Sequence, residues 1–244
     1  MERISVVTIS YNSAGTIHKT LDSLKNQTYK NIEHIIVDGN SADDTIKICD
    51  QFPHIYKIIS ESDKGVYDAF NKGLKVASGE IVGFLNSDDI FYNKNVLQTI
   101  AEHFDDQTDC VFGNLDYVNT EGKVVRKWRS KPYQNGFFTK GWMPAHPTFY
   151  CRKSIYDRFG RYDDSFEIAG DFELMLRFLE KNKIRSKFID QTLVKMLVGG
   201  ISNNGIVSKT KIVKEEKIAF QQNKIDFSFF KYILYKLFKV KEFF

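Results

Sequence analysis

Residues 4 to 104 switch repeatedly between two hydrophobic periods, and this restricts the fold more than any other feature of the chain. ISVVTIS (4–10), IEHIIVD (32–38), YKIISE (56–61) and EIVGFLN (80–86) are short runs with the length and β-branched content of buried strands. Helical signals separate and follow them. Ser13 is placed to cap a helix carrying Ile17, Leu21 and Leu24 on one face, and Ser41 one running through Ile46 and Cys49. VYDAFNKGLKVASG reads as a third helix closed by Gly79, and a fourth carries Val96, Leu97, Ile100 and Phe104. Strand–helix alternation of this kind predicts an α/β fold: a parallel or mostly parallel sheet with helices on both faces.

The pattern changes after residue 110. CVFGNLDYV, then EG, then KVVRKW reads as a hairpin, and short strands near 148–151 and 187–198 flank a helix from about 170 to 182. The front half therefore reads as a nucleotide-binding layer. The back half is mixed and is expected to shape a second ligand pocket.

Ligands of open parallel sheets bind beyond the carboxyl ends of the strands. All four predicted strands end on polar or charged groups: Ser10-Tyr11-Asn12, Asp38-Gly39-Asn40, Glu61-Ser62-Asp63-Lys64-Gly65 and Asn86-Ser87-Asp88-Asp89. Any one of them is compatible with a plain turn; their convergence on one edge favours a site. Asp38 has the chemistry to accept a bond from the N–H-rich edge of a uracil ring, or simply to close a turn. Tyr11 stacks on a base or packs. Lys64, before Gly65 at a helix opening, suits a phosphate, or is an exposed loop lysine. The adjacent Asp88 and Asp89 are either a solvated helix-opening turn or a cation site. Two nucleotide-binding rivals lack their defining loops. A dinucleotide fold needs G-x-G-x-x-G after the first strand, where this chain has SYNSAGT, and no G-x-x-x-x-G-K-[ST] is present.

The bulk composition fits one domain. The 244 residues are 42% hydrophobic and 27% charged, with 4 Pro and no repeat or low-complexity block. Cys49, Cys110 and Cys151 lie far apart and form no CxxC, as expected of buried thiols in a reducing compartment. The N-terminus does not read as a signal peptide, and no run reaches the roughly 20 apolar residues of a spanning helix. A cytoplasmic protein is expected. The net charge of +4 sits at one end: residues 207–244 hold nine Lys against four acidic residues. The remainder is near neutral, so no nucleic-acid-binding face is expected.

VVTISYN, IIVDGNSADDT, ESDKGVYDAFNKGLKVASGEIVGFLNSDD and AGDFELMLRF together resemble the family 2 glycosyltransferases, which have the GT-A fold. The resemblance is dense over residues 3–100 and ordered again from about 145 to 180. It implies sugar transfer from a nucleotide-sugar with inversion at the anomeric carbon. It implies that Asp88 and Asp89 hold Mn²⁺ or Mg²⁺ bridging the donor diphosphate, with Asn86 standing where the family has the first Asp of Asp-x-Asp. Ser10, Tyr11, Asp38, Lys64, Asn86 and Asp88 become the donor-binding set. The resemblance places the catalytic base at Asp171, with Glu173 as the runner-up; on its own, Asp171 reads equally as a helix N-terminal charge. Many relatives have Glu before this Asp, where this chain has Gly170. Trp142 and His146, in WMPAHPTFYCRK, are expected with Glu173 in the acceptor pocket.

The expected organisation is a GT-A domain over 1–206, divided at 109/110 into donor and acceptor halves, and a basic amphipathic tail over 207–244. Within FSFFKYILYKLFKVKEFF (227–244), Phe230, Ile233, Leu234, Leu237 and Phe238 form a stripe edged by Lys231, Lys236, Lys239 and Lys241, which reads as a membrane-surface anchor or as a helix packed on the domain. The expected activity is metal-dependent transfer of a hexose or N-acetylhexosamine from a UDP-sugar to a lipid-linked saccharide in surface-polysaccharide synthesis, peripheral on the inner face of the membrane. A nucleotidyltransferase and a non-catalytic saccharide- or lipid-binding module are the alternatives. The first should carry a Gly-rich basic loop after strand one, which SYNSAGT is not; the second is disfavoured by the presence of both Asp88 and Asp171.

Overall fold

The computed structural model describes residues 2–199 and 205–239, with side chains over 210–237 in the second stretch. Strands β1 (Ile4–Ser10), β2 (Ile32–Asp38), β3 (Ile55–Ser60) and β4 (Ile81–Phe84) lie parallel in the order β3-β2-β1-β4. Ser10 is the register partner of Asp38, and Asp38 of Ser60, so three strands end level. That shared edge is where the sequence puts its polar groups.

The sheet continues past β4 through a mixed half. β5 (Asp89–Phe91), β6 (Cys110–Val118), β7 (Val124–Trp128), β8 (Tyr150–Arg152) and β9 (Ser186–Leu197) complete the order β3-β2-β1-β4-β8-β6-β9-β5, with β7 on β6. The β4–β8, β8–β6, β6–β7 and β9–β5 pairs are antiparallel, and β6–β9 is parallel. β5 is too short to show in the sequence. It pairs Asp89 with Met196, so the chain leaves β4 and rejoins the sheet at its other end within a few residues.

Side-chain alternation sorts the core into faces. Val7, Ile35, Val37, Val82 and Phe84 face α3 (Val66–Val76) in the largest cluster, while Ile4, Val6 and Ile81 face the opposite way with α4 (Val96–Glu102). Ile36 packs with Ile17 and Leu21 of α1 (Ile17–Lys25) and Cys49 of α2 (Thr45–Cys49). The three cysteines are free and buried. Neither predicted hydroxyl caps its helix. The Ser13 carbonyl, not its side chain, accepts the Thr16 and Ile17 N–H groups, and α2 starts at Thr45 because Ser41 is engaged elsewhere.

The back half adds α5 (Lys153–Phe159), which the sequence reading did not separate, and α6 (Gly170–Met175), which continues as a π-turn over Leu176–Lys181. α7 (Gly205–Gln222) and α8 (Phe229–Lys239) follow. Through residue 237 the basic end of the chain is part of the packed body. Ala219, Phe220 and Tyr232 are buried in the largest cluster, and Phe220 meets the rings of Phe172, Phe227 and Tyr232. Phe230, Leu234 and Leu237 of the predicted stripe are exposed, whereas Ile233 packs inward. The side chains of Phe238, Lys239 and Lys241 lie outside the described residues.

Candidate active site

Asp38 is the hub of the strand-end cluster. Its buried carboxylate accepts bonds from Ser10 Oγ at 3.0 Å, Ser41 N at 2.8 Å, Ser41 Oγ at 2.5 Å and Ser60 Oγ at 2.8 Å. Four donors fill the acceptor capacity of a carboxylate. Asp38 therefore pins three serines from three segments. Ser41 also accepts the Asn12 N–H, and Asn12 Oδ1 accepts Ala42 N–H, which ties the loops after β1 and β2. Asn12 and Asn40 take φ of +48° and +65°, a left-handed conformation that asparagine tolerates better than most residues.

Around this hub the surface opens. Tyr11 is 67% exposed. Gly39 sits where a Cβ would come within 2.6 Å of Asp63 Oδ2 and 3.3 Å of the Tyr11 ring, so a larger residue there would push the Asp63 carboxylate aside. Asp63 accepts the Gly65 N–H, and Asp68 accepts the Lys64 N–H, at the opening of α3. The Lys64 side chain is exposed and its ammonium makes no ion pair among the described residues. Asp63, Ser41 and Ser60 were missed as individual site residues, although Asp63 is in a stretch whose polarity was noted.

The fourth strand end carries the paired carboxylates. Ser87 Oγ meets Ser13 Oγ at 2.8 Å, joining it to the β1 loop. Asp88 is partly exposed, and burial pushes its carboxyl above the usual range. Asp89 is fully buried; burial first, and then the Asp88 charge, push it well above. Asn86 Nδ2 donates to Asp89 Oδ2 at 3.3 Å, while Asn86 Oδ1 and Asp89 Oδ1 are buried with no partner. Two orphaned oxygens beside a partly open carboxylate make an all-oxygen donor set that fits a hard divalent cation. Among the described residues no group of three or more His, Cys, Asp or Glu side chains is placed to hold a metal.

Asp171 belongs to the back half. It lies in the first turn of α6, half-buried, and accepts the Phe172 N–H at 2.8 Å. Burial raises its carboxyl to about 6; the hydrogen bond from the Phe172 N–H opposes this, and the Glu216 charge adds to it. Tyr67, on α3, donates its hydroxyl to the Ile168 carbonyl at 2.6 Å. Its ring fills the space where a side chain at 170 would start: a Cβ on Gly170 would lie 2.7 Å from it. The Tyr117 hydroxyl is within electrostatic reach of both Asp89 and Asp171.

Three other predicted residues are held by protein contacts. Trp142 is 6% exposed, and Phe112, Tyr133, Phe137 and Phe138 surround its indole, leaving no open face for a sugar. Glu173 is buried, paired bidentately with Arg177 at 2.9 Å and bonded by Asn223 Nδ2 at 3.0 Å, because it points from α6 into the protein. His146 contacts Phe70 and Phe84, and its Nε2 is 2.8 Å from the Tyr162 hydroxyl. Burial lowers its pKa to about 4, so it is neutral at pH 7.

The family model described as "Glycosyl transferase family 2" matches residues 5–181, which include every carboxylate of this site. The chain belongs to glycosyl transferase family 2. Curated relatives agree. The UDP-Glc:alpha-D-GlcNAc-diphosphoundecaprenol beta-1,3-glucosyltransferase WfaP of Escherichia coli is 32% identical over 209 residues, covering 84% of this chain and 81% of that one. A PGL/p-HBAD biosynthesis glycosyltransferase of Mycobacterium bovis is 26% identical, covering 84% and 80%. Among solved structures, S. aureus TarS 1–349 in complex with UDP-GlcNAc superposes with a TM-score of 0.68 at 21% identity, covering 89% of this chain and 66% of that one. The mannosyltransferase PcManGT from Pyrobaculum calidifontis, in complex with GDP-Man and Mn²⁺, gives 0.68 at 17% identity, covering 93% and 65%. This chain thus spans just under two thirds of each of these two structures. It is a glycosyltransferase with the GT-A fold.

Proposed function

We propose that this glycosyltransferase inverts configuration as it moves a hexose or N-acetylhexosamine from a UDP-sugar to a lipid-linked saccharide, in the assembly of a surface polysaccharide. The observation that carries the reading is the α3 link between the halves: the helix opens at Gly65 beside the strand-end loops, and its Tyr67 hydroxyl holds the Ile168 carbonyl just before Asp171. Asp88 and Asp89 stand on the donor side, and Asp171, with its proton affinity raised to about 6, approaches from the other half. Inversion in one displacement needs a base on the face opposite the leaving group. Asp171 fits that role: near neutral pH it is ionised yet basic enough to take a hydroxyl proton.

The nucleoside diphosphate lies along the strand ends in this reading. Tyr11 offers an exposed ring to the base. Asp38 receives the imide N–H of uracil when the Ser41 or Ser60 hydroxyl rotates away, and otherwise holds the pocket wall. Lys64, beside the α3 N-terminus, takes a phosphate charge. A divalent cation at Asp88, with Asp89 and Asn86 behind it, neutralises the departing diphosphate. The donor and acceptor classes are supported by the names of the WfaP relative and the TarS complex, and the cation by the Mn²⁺ complex of PcManGT. His146 and Tyr162 line the acceptor side; Trp142 and Glu173 support that wall from within.

A lipid-linked acceptor requires the enzyme to work at a membrane surface. No helix among the described residues is long and apolar enough to cross one. The exposed Phe230, Leu234 and Leu237 of α8, with Lys231 on the same helix and Lys217 over the Phe229 ring, support peripheral docking on anionic lipid at the inner face. Slow donor hydrolysis tests the catalytic reading. Incubated with UDP-glucose, UDP-GlcNAc, UDP-galactose and GDP-mannose, the protein should release UDP from one UDP-sugar, with Mn²⁺ present and not with EDTA. Turnover of GDP-mannose alone, or equal rates in EDTA, would contradict it.

A further inference from the structure

The sequence KEEK (214–217) looks like a solvated helix face, yet Glu215 is only 8% exposed. Its carboxylate leaves α7 to collect backbone N–H groups from the segment that leads into α6. Glu167 N donates to Oε1 at 3.2 Å, and Ile168 N and Ala169 N donate to Oε2 at 3.0 and 2.8 Å. Lys211, one helical turn earlier, pairs with the Glu167 carboxylate. On the other side, the Tyr67 hydroxyl holds the Ile168 carbonyl, and its ring closes over Gly170. The three residues before Gly170 and Asp171 are thus fixed from two helices.

We infer that Glu215 is a positioning residue for sugar transfer: by fixing the backbone of residues 167–169 it sets the place of the Asp171 carboxylate. The inference rests on reading Asp171 as the base. A buried carboxylate is a costly way to fill a helix-packing position, because apolar residues do so without a desolvation penalty. Only an acceptor of several bonds can gather three consecutive N–H groups, and such a grip restrains the backbone in more than one direction. Catalytic groups need placement to within about 0.5 Å, and a displacement of about 1 Å costs on the order of 100-fold in rate. One residue, Gly170, separates Ala169 from Asp171, so slack at Glu215 reaches the base almost undamped.

The groups that face Asp171 electrostatically are Tyr67 from α3, Tyr117 from β6, Tyr162 from the segment after α5 and Glu216 from α7. None of them is replaced in Glu215→Ala. Loosening the segment admits water to Asp171, which weakens the burial that raises its proton affinity.

The test compares full-length wild type, Glu215→Ala, Glu215→Gln and Asp171→Asn by thermal melting, UDP calorimetry, kcat and KM for both substrates, and the pH–rate profile. Glu215→Ala should bind UDP and donor as wild type does. Its kcat should fall about 10- to 100-fold, and its acid limb should move below the wild-type midpoint near 6. Glu215→Gln keeps one carbonyl oxygen for the Ile168 and Ala169 N–H groups and should recover part of the rate. A folded Glu215→Ala with kcat within about twofold of wild type and an unmoved acid limb overturns the inference. If Glu215→Ala does not fold, Glu215→Gln and Tyr67→Phe, which frees the same segment from the other side, decide it: both should lower kcat without raising donor KM, and unchanged kcat in both overturns it. Asp171→Asn separates the two failures. If that variant is inactive while folded Glu215 variants are normal, only this inference falls. If Asp171→Asn is active, the base assignment falls, and this inference with it.

Discussion

Asp38 is bound by four donors, whereas Asp89 keeps one buried oxygen with none and Asp171 is half-open with a raised proton affinity. The sequence placed all three at strand or helix ends but does not show which donors they collect: Asp38 gathers Ser10 and Ser60 from other strands as well as the nearby Ser41, while Asp89 accepts from the nearby Asn86 and Asp171 from the nearby Phe172 N–H. For Glu173 a local signal was present, the i,i+4 spacing to Arg177 that pairs with its carboxylate, whereas the Asn223 contact, 50 residues away, was not legible. Asp38→Ala removes the acceptor shared by Ser10, Ser41 and Ser60, so it should cost roughly 1–3 kcal/mol in unfolding free energy and also weaken UDP binding; denaturant melts and calorimetry measure both. Asp88→Asn should abolish the Mn²⁺-dependent part of UDP affinity, leaving the metal-free part, and calorimetry with and without EDTA reads the difference. For Asp171 the sign with pH is definite. A carboxyl whose folded-state affinity is raised binds protons more tightly in the native state, so its contribution to stability is lost as pH rises from about 4 through about 6. Asp171→Asn should therefore melt higher than wild type at pH 7.5 and show little or no such gain at pH 4.5.

The elements of the front half were legible because each one repeats a simple period between clear turn residues. β5 was not, being three residues inside a stretch that reads as a turn. α7 was missed because its charged positions look like a solvated face. In fact Glu215 holds backbone N–H groups and Glu216 accepts Lys236 Nζ at 2.6 Å through both oxygens. That pairing makes α8 part of the domain as well as a candidate anchor. Deleting the chain after Asp226 removes the buried Tyr232 and leaves Glu216 unpaired, so the truncated protein should melt well below wild type. Membrane docking is better tested by substituting only the outward residues. Phe230→Ser with Leu237→Ser, at positions 74% and 61% exposed, should leave the melting temperature nearly unchanged and lower sedimentation with anionic liposomes at low salt. Equal sedimentation of the pair and wild type would rule out α8 as the anchor.

Across the whole molecule, a parallel front sheet has three level strand ends, and a mixed back half carries Asp171; the proposed function assigns the first to the nucleotide and the second to proton acceptance. α3 links them: it opens at Lys64-Gly65 on the donor side, and its Tyr67 touches the segment before Asp171. This arrangement was readable in outline from the order of the motifs, with Asp88 before the hairpin and Asp171 after it. The bringing together was not, because it depends on a sheet whose last strand in spatial order, β5, is the fifth in sequence. The central claim is that the two halves divide the work, donor and cation on one side and proton acceptance on the other. Steady-state transfer by Asp171→Asn, measured beside its UDP affinity, tests this directly. Asparagine keeps the size of the side chain and cannot take a proton near neutral pH. The rate should fall by about 10²- to 10⁴-fold with UDP binding unchanged; near-wild-type transfer by that variant would contradict the account.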